Sequence, residues 1–111
     1  MRMRLAILAT ACLATAAHAT VLTPPVHLTA IQTLTDYVTT GADVVFEVNA
    51  TVTGCYGFWL SPADPGSKQA YASLLTAKAM DAAVVIQAYD NQVWGGSASF
   101  NYCRVRSLTI Q

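Results

Sequence analysis

The sequence predicts a mainly β domain with a single helix, its elements ordered β-β-β-α-β-β. Three observations carry this expectation. Val44, Phe46, Val48 and Ala50 alternate with Val45, Glu47, Asn49 and Thr51, the period of two expected of a strand with one buried face. From Ser67 to Met80 helix formers dominate, behind Asp64-Pro65, a helix-start pattern that offers a side-chain oxygen to the orphan amides and then a preset φ. Two β-favouring runs follow, Val84 to Tyr89 and Cys103 to Ile110, rich in the branched and aromatic residues that suit a pleated surface.

The first nineteen residues read as a leader rather than as part of the fold. Met1-Arg-Met-Arg4 is basic, Leu5 to Ala16 is apolar and uncharged, and Ala17-His18-Ala19 is a small-x-small cleavage pattern. The apolar run is about a dozen residues, short of the ~20 that span a bilayer. A secretory signal peptide over residues 1–19, cleaved after Ala19, is therefore expected, with a periplasmic or secreted product of bacterial type. The 111-residue chain has formal net charge zero. Without the leader, residues 20–111 carry four basic and six acidic residues. That length allows one small domain and excludes multidomain enzymes and repeat arrays.

Cys12 leaves with the leader, so Cys55 and Cys103 remain and are expected to form one disulfide in an exported chain. There is no CxxC, and no zinc-site spacing of cysteine and histidine. No metal or cofactor is expected.

Along the remaining chain, Thr20 to Val26 contains Pro24-Pro25, which suits an extended arm rather than a central strand. Leu28 to Thr40 is a first strand, Gly41-Ala-Asp43 a turn, Val44 to Thr51 a second strand and Cys55 to Leu60 a short third. On the helix, Tyr71, Leu74, Leu75 and Lys78 form one stripe, with Gln69, Ser73 and Thr76 on a neutral opposite side. Asp90-Asn91 is expected to open a loop through Gly95-Gly96-Ser97. Three strands, a helix and two strands is the order of a small Greek-key barrel of the OB-fold kind. The alternative is an α+β open antiparallel sheet with one packed helix.

The stretch from Ser67 to Cys103 resembles the B (binding) subunits of bacterial AB toxins of the subtilase-cytotoxin and typhoid-toxin type. The residues that carry the resemblance are Leu74-Leu75 on the helix, Val84-Val-Ile86 on the next strand and Asn91-Gln-Val-Trp94 beyond it. The first half of the chain has no residue-level match. The resemblance implies a lectin-like subunit that assembles into a ring of five, binds a glycan, and has a catalytic A subunit as a further partner. It transfers no sugar-contacting residue.

Tyr89, Asp90, Asn91 and Trp94 place an aromatic face, a carboxylate and an amide within six residues, the groups a sugar site uses, in a segment expected to be a loop. The competing reading has Asp90-Asn91 only turning the chain and Trp94 packing on the barrel. Catalysis is not expected: His27 is the one histidine beyond the leader, and no nucleophile elbow or HExxH occurs. Lys68, Lys78, Arg104 and Arg106 are too few for a nucleic-acid footprint. The expectation is a binding protein: a ring-forming, carbohydrate-binding subunit. The alternative is a monomeric periplasmic module, an inhibitor or an envelope-complex accessory protein, that binds another protein.

Overall fold

The computed structural model describes residues 19–36 and 44–111. The expected signal peptide up to His18, the expected turn at Gly41-Ala-Asp43 and the expected end of the first strand from Tyr37 to Thr40 lie outside the described residues.

Six strands and one helix make up the described fold: β1 (Thr20–Leu22), β2 (Leu28–Thr33), β3 (Val44–Val48), β4 (Gly57–Leu60), α1 (Ser67–Met80), β5 (Val84–Val93) and β6 (Tyr102–Ile110). They form one mixed sheet in the order β1-β5-β6-β4-β3-β2. Every ladder is antiparallel except β4–β6, where Phe58 faces Cys103 and Trp59 faces Arg104 in parallel register. The chain leaves β4 through α1, runs out along β5 and returns as β6, so the helix crossover is what makes that pair parallel.

The domain is thus mainly β with one helix, with bounds of α1 at the expected residues. It carries one more strand than the expected five. Thr20 to Leu22, expected to be an arm, pairs with β5, opposite Tyr89, Ala88 and Gln87. Pro24 and Pro25 interrupt the ladder because they bring no N–H. Val26 then makes an isolated bridge to Val84, exchanging bonds of 2.9 and 2.8 Å, and β2 continues onto β3. The sheet is not a closed barrel: β1 and β2 are its ends, and among the described residues Val26–Val84 is the single bridge outside the ladders between these regions.

Phe46, Phe58, Leu74, Ile86, Val26, Val84 and Cys103 are fully buried. Each large apolar side chain among them contributes roughly 1.5–3 kcal/mol by leaving water. The rings of Phe46 and Phe58 stack at 5.4 Å across β3 and β4. The helix meets this core through Leu74 and Ala77, with Ala70 and Tyr71 packed beside them. Leu75, expected in the buried stripe, is 47% exposed. The inward stripe is centred on Leu74 and its neighbours four before and three after, and small Ala70 and Ala77 let the helix approach the sheet closely. Val45 is buried as well as Phe46, so β3 is covered on both faces and its alternation is not simply in and out.

Both helix ends depart from simple expectation. Gly66 occupies the N-cap and no side chain caps the helix, because Asp64 is engaged elsewhere. At the other end Asp81 takes the left-handed conformation at φ 50°, and Ala82 N–H reaches back to the Ala77 carbonyl at 2.9 Å, the bond that closes a Schellman turn.

Cys55 and Cys103 are joined, as expected, with Cα atoms 5.6 Å apart and a sequence separation of 48. Closing a loop of that length is worth about 4 kcal/mol in the chain-entropy model. The bridge fastens the turn before β4 to β6, alongside the one parallel ladder.

Candidate functional site

Tyr89, Asp90 and Asn91 lie in β5, which runs on to Val93, and so are strand rather than loop residues. Successive side chains on a strand point to opposite faces, so the three do not converge on one ligand. Asp90 donates its N–H to the Ala19 carbonyl at 3.0 Å, and Arg106 stands 5.9 Å from the centre of the Tyr89 ring. Trp94, just beyond the strand, is only 7% exposed. Its ring meets Tyr102 edge-on at 5.8 Å, and a Cβ at Gly96 would fall 2.3 Å from it. The indole is a packed wall. The β-rich continuation of Val84–Tyr89 through a bulge near Tyr89 overrides the turn preference of Asp-Asn.

An exposed aromatic surface arises instead where the disulfide brings two distant segments together. Tyr56 follows Cys55 and Phe100 precedes Cys103 by three residues. Their rings stack at 4.3 Å, and they remain 52% and 55% exposed. Tyr56 N–H donates to the Asn101 carbonyl at 2.7 Å, so the loop before β6 is held against the start of β4. Beneath the pair is a cleft of about 580 Å³ lined by Glu47, Asn49, Ser99 and Asn101 among others.

Tyr102 joins this cleft to the sheet. Its ring crosses β4 where Gly57 has no side chain, since a Cβ there would sit 2.5 Å from the ring. Its hydroxyl donates to Glu47 Oε1 on β3 at 2.9 Å. Tyr102 is also edge-on to Tyr56 at 5.8 Å. Trp94, Tyr102, Tyr56 and Phe100 therefore form a continuous chain of ring contacts from buried to exposed. Burial pushes the Tyr102 phenol up to about 12, with the hydrogen bond to Glu47 and its negative charge adding to the shift. The hydroxyl stays a donor and holds the carboxylate in one orientation.

A second concavity, about 530 Å³, lies between the first half of α1 and β6 and includes Asp64, Gln69, Ser73, Arg104 and Arg106. Its main cation is already engaged. Arg104 Nε donates to Asp64 Oδ2 at 3.0 Å and Nη1 to Gln92 Oε1 at 2.8 Å. Nη2 meets Asp64 Oδ1 as a second bond of the same pair, and Asp64 thereby raises the guanidinium pKa further. Arg104 clamps the Ser61–Gly66 loop to β6. Asp64, expected to cap α1, is its partner. Trp59 Nε1 donates to the Gln92 carbonyl at 3.0 Å, so this tryptophan is part of the packed framework.

Among the described residues no cluster of three or more His, Cys, Asp or Glu side chains could hold a metal ion. No described helix is long and apolar enough to cross a membrane.

No family model, curated protein sequence or solved structure matches this chain.

Sequence reasoning missed Tyr56, Phe100, Asn101 and Glu47 as cleft residues. Tyr56 reads as part of a strand with Phe58 and Trp59, and Ser97-Ala-Ser99 as solvated serines of a Gly-rich loop. The signal available was the cysteine pair itself. Residues flanking two bridged cysteines must be neighbours, and here each flank contributes an aromatic.

Proposed function

We propose that this chain is an exported carbohydrate-binding protein that binds rather than converts its ligand, with the sugar in the Tyr56–Phe100 cleft. The observation that carries the reading is the stacked, half-exposed ring pair above a concave surface with a carboxylate and two amides. Apolar sugar C–H faces pack on aromatic rings, and Asn and Glu side chains bond vicinal hydroxyls; such pockets combine apolar walls with a few placed polar groups. Asn101 and Ser99 are exposed at the rim. Glu47 is the only carboxylate lining the cleft among the described residues, whereas glycoside hydrolysis ordinarily uses a pair.

Export is supported by the Met1–Ala19 leader pattern and the disulfide. A ring-forming role like that of toxin B subunits is supported by exposed Leu75 and Met80 on α1 and exposed Leu22 on edge strand β1, apolar surface that self-association would cover. The oxidised chain of residues 20–111 would be screened against immobilised glycans and its native mass measured at micromolar concentration. Binding that falls more than about tenfold in Tyr56→Ala and Phe100→Ala, with unchanged far-UV circular dichroism, supports the cleft. Retention of full binding in both variants excludes it. A pentamer supports the ring. A monomer that binds no glycan favours the protein-binding alternative, with the same aromatic pair as its contact surface.

A further inference from the structure

We infer that the cleft selects a sugar bearing a free amino group and turns away acidic sugars. This rests on the carbohydrate-binding reading and adds the charge of the ligand to it. Glu47 is the only charged side chain lining the cleft among the described residues. Its Oε1 accepts from Tyr102, and no described hydrogen bond engages Oε2. Glu47 is half-buried, so a ligand group reaching Oε2 meets an acceptor held in place by Tyr102.

Among the described residues the basic groups lie elsewhere. Arg104 and Arg106 line the other groove, Arg104 committed to Asp64 and Gln92 and Arg106 beside Tyr89. Lys68 and Lys78 are on α1. The His27 ring turns to Asp81, with Nδ1 3.1 Å from its carboxylate, while only the His27 backbone N–H donates to Asn49.

An ammonium group gains from both features present. It can donate a charge-assisted hydrogen bond to the open carboxylate oxygen, and it is attracted to the negative faces of the Tyr56 and Phe100 rings. A sugar carboxylate would meet the same rings and Glu47 with no cation to receive it, and would lose hydration without compensation. Neutral sugars fall between the two.

The test is calorimetric titration of the oxidised chain at pH 6 and low salt, with three tetrasaccharides: an N-acetylglucosamine oligomer, the same oligomer without its acetyl groups, and a galacturonate oligomer. Tetralysine serves as a non-sugar cation. The expected result is that the amino oligomer binds about three- to tenfold more tightly than the acetylated one, as for a charge-assisted bond in a half-exposed site. The galacturonate oligomer should give no measurable heat. Glu47→Gln should erase the amino preference, so that the amino oligomer no longer binds more tightly than the acetylated one. Equal affinity for the amino and acetylated sugars, tighter binding of galacturonate, or a preference that survives Glu47→Gln overturns the inference while the carbohydrate reading stands. Tetralysine binding as tight as the amino sugar overturns it in favour of a basic peptide. If no saccharide binds, both fall together.

Discussion

Tyr102 on β6 and Glu47 on β3 are joined by a 2.9 Å hydrogen bond that passes over β4, the strand between them, at Gly57. Three strands that meet through the disulfide-bearing turn are thereby fastened on the outer face of the sheet, opposite the Phe46–Phe58 core. The same phenol contacts both Trp94 and Tyr56, so one side chain couples a buried wall to the exposed rim of the cleft.

This pair predicts an alkaline dependence of stability. Burial first, then the Glu47 hydrogen bond and charge, raise the Tyr102 phenol to about 12 in the folded protein, against an ordinary value near 10. The folded state therefore holds this proton more tightly than the unfolded state. The contribution is fully present below about pH 10 and is lost as pH rises towards 12. Urea midpoints measured between pH 9 and pH 12 should fall through that window, and absorbance at 295 nm should show the late ionisation of Tyr102, absent in Tyr102→Phe. Glu47→Gln should lower that late ionisation without returning it to the ordinary value, since burial remains. An alkaline profile unchanged in Tyr102→Phe would remove Tyr102 as its source.

Gly57→Ala should destabilise the domain although alanine is the less flexible residue. The added Cβ would lie 2.5 Å from Tyr102 Cε1 and 2.8 Å from the Phe46 carbonyl oxygen, so the ring or the strand must shift. The expected cost is about 1–3 kcal/mol, as for other overpacked sites. Gly95→Ala, with no atom within 4 Å of the new Cβ, should stay within about 0.5 kcal/mol of the parent. Chemical denaturation of both variants checks the contrast, and equal midpoints would contradict the close approach at Gly57.

Asp64 should act through Arg104 and not as a helix cap. The two side chains are 29% and 31% exposed and doubly bonded, which places the coupling at about 1–2 kcal/mol after allowance for partial solvent screening. In a double-mutant cycle, Asp64→Ala should be costly in the parent and nearly silent in the Arg104→Ala background. A full cost in both backgrounds would instead identify a capping role, because that role does not need the arginine.

Reduction of Cys55–Cys103 should cost about 4 kcal/mol, the loop-closure entropy of a separation of 48. Urea unfolding with and without dithiothreitol measures it, with Cys55→Ala/Cys103→Ala as the reagent-free control. A change below about 1 kcal/mol would mean that the segments on either side are already held together in the unfolded chain.

The sequence by itself determined what depends on neighbours along the chain. The helix from Ser67 to Met80 is legible because its helix propensities are local. The strands at Val44–Val48, Val84–Tyr89 and Cys103–Ile110 are legible from branched and aromatic runs, whereas the continuation of β5 from Asp90 to Val93 is not, because Asp-Asn favours a turn. The disulfide follows from counting, once Cys12 is assigned to the leader. The tertiary structure alone decided which of these residues face water and which partners they meet. Trp94 is closed off and Tyr56 opened by the register of β6 against β4 and β5, and a strand that shifts by one residue exchanges its faces. Asp64 left the helix terminus because Arg104, forty residues away, offers a doubly bonded charge in place of a single amide. The cleft is assembled from β3, the turn before β4 and the loop before β6, and no periodicity within one segment records a surface shared by three.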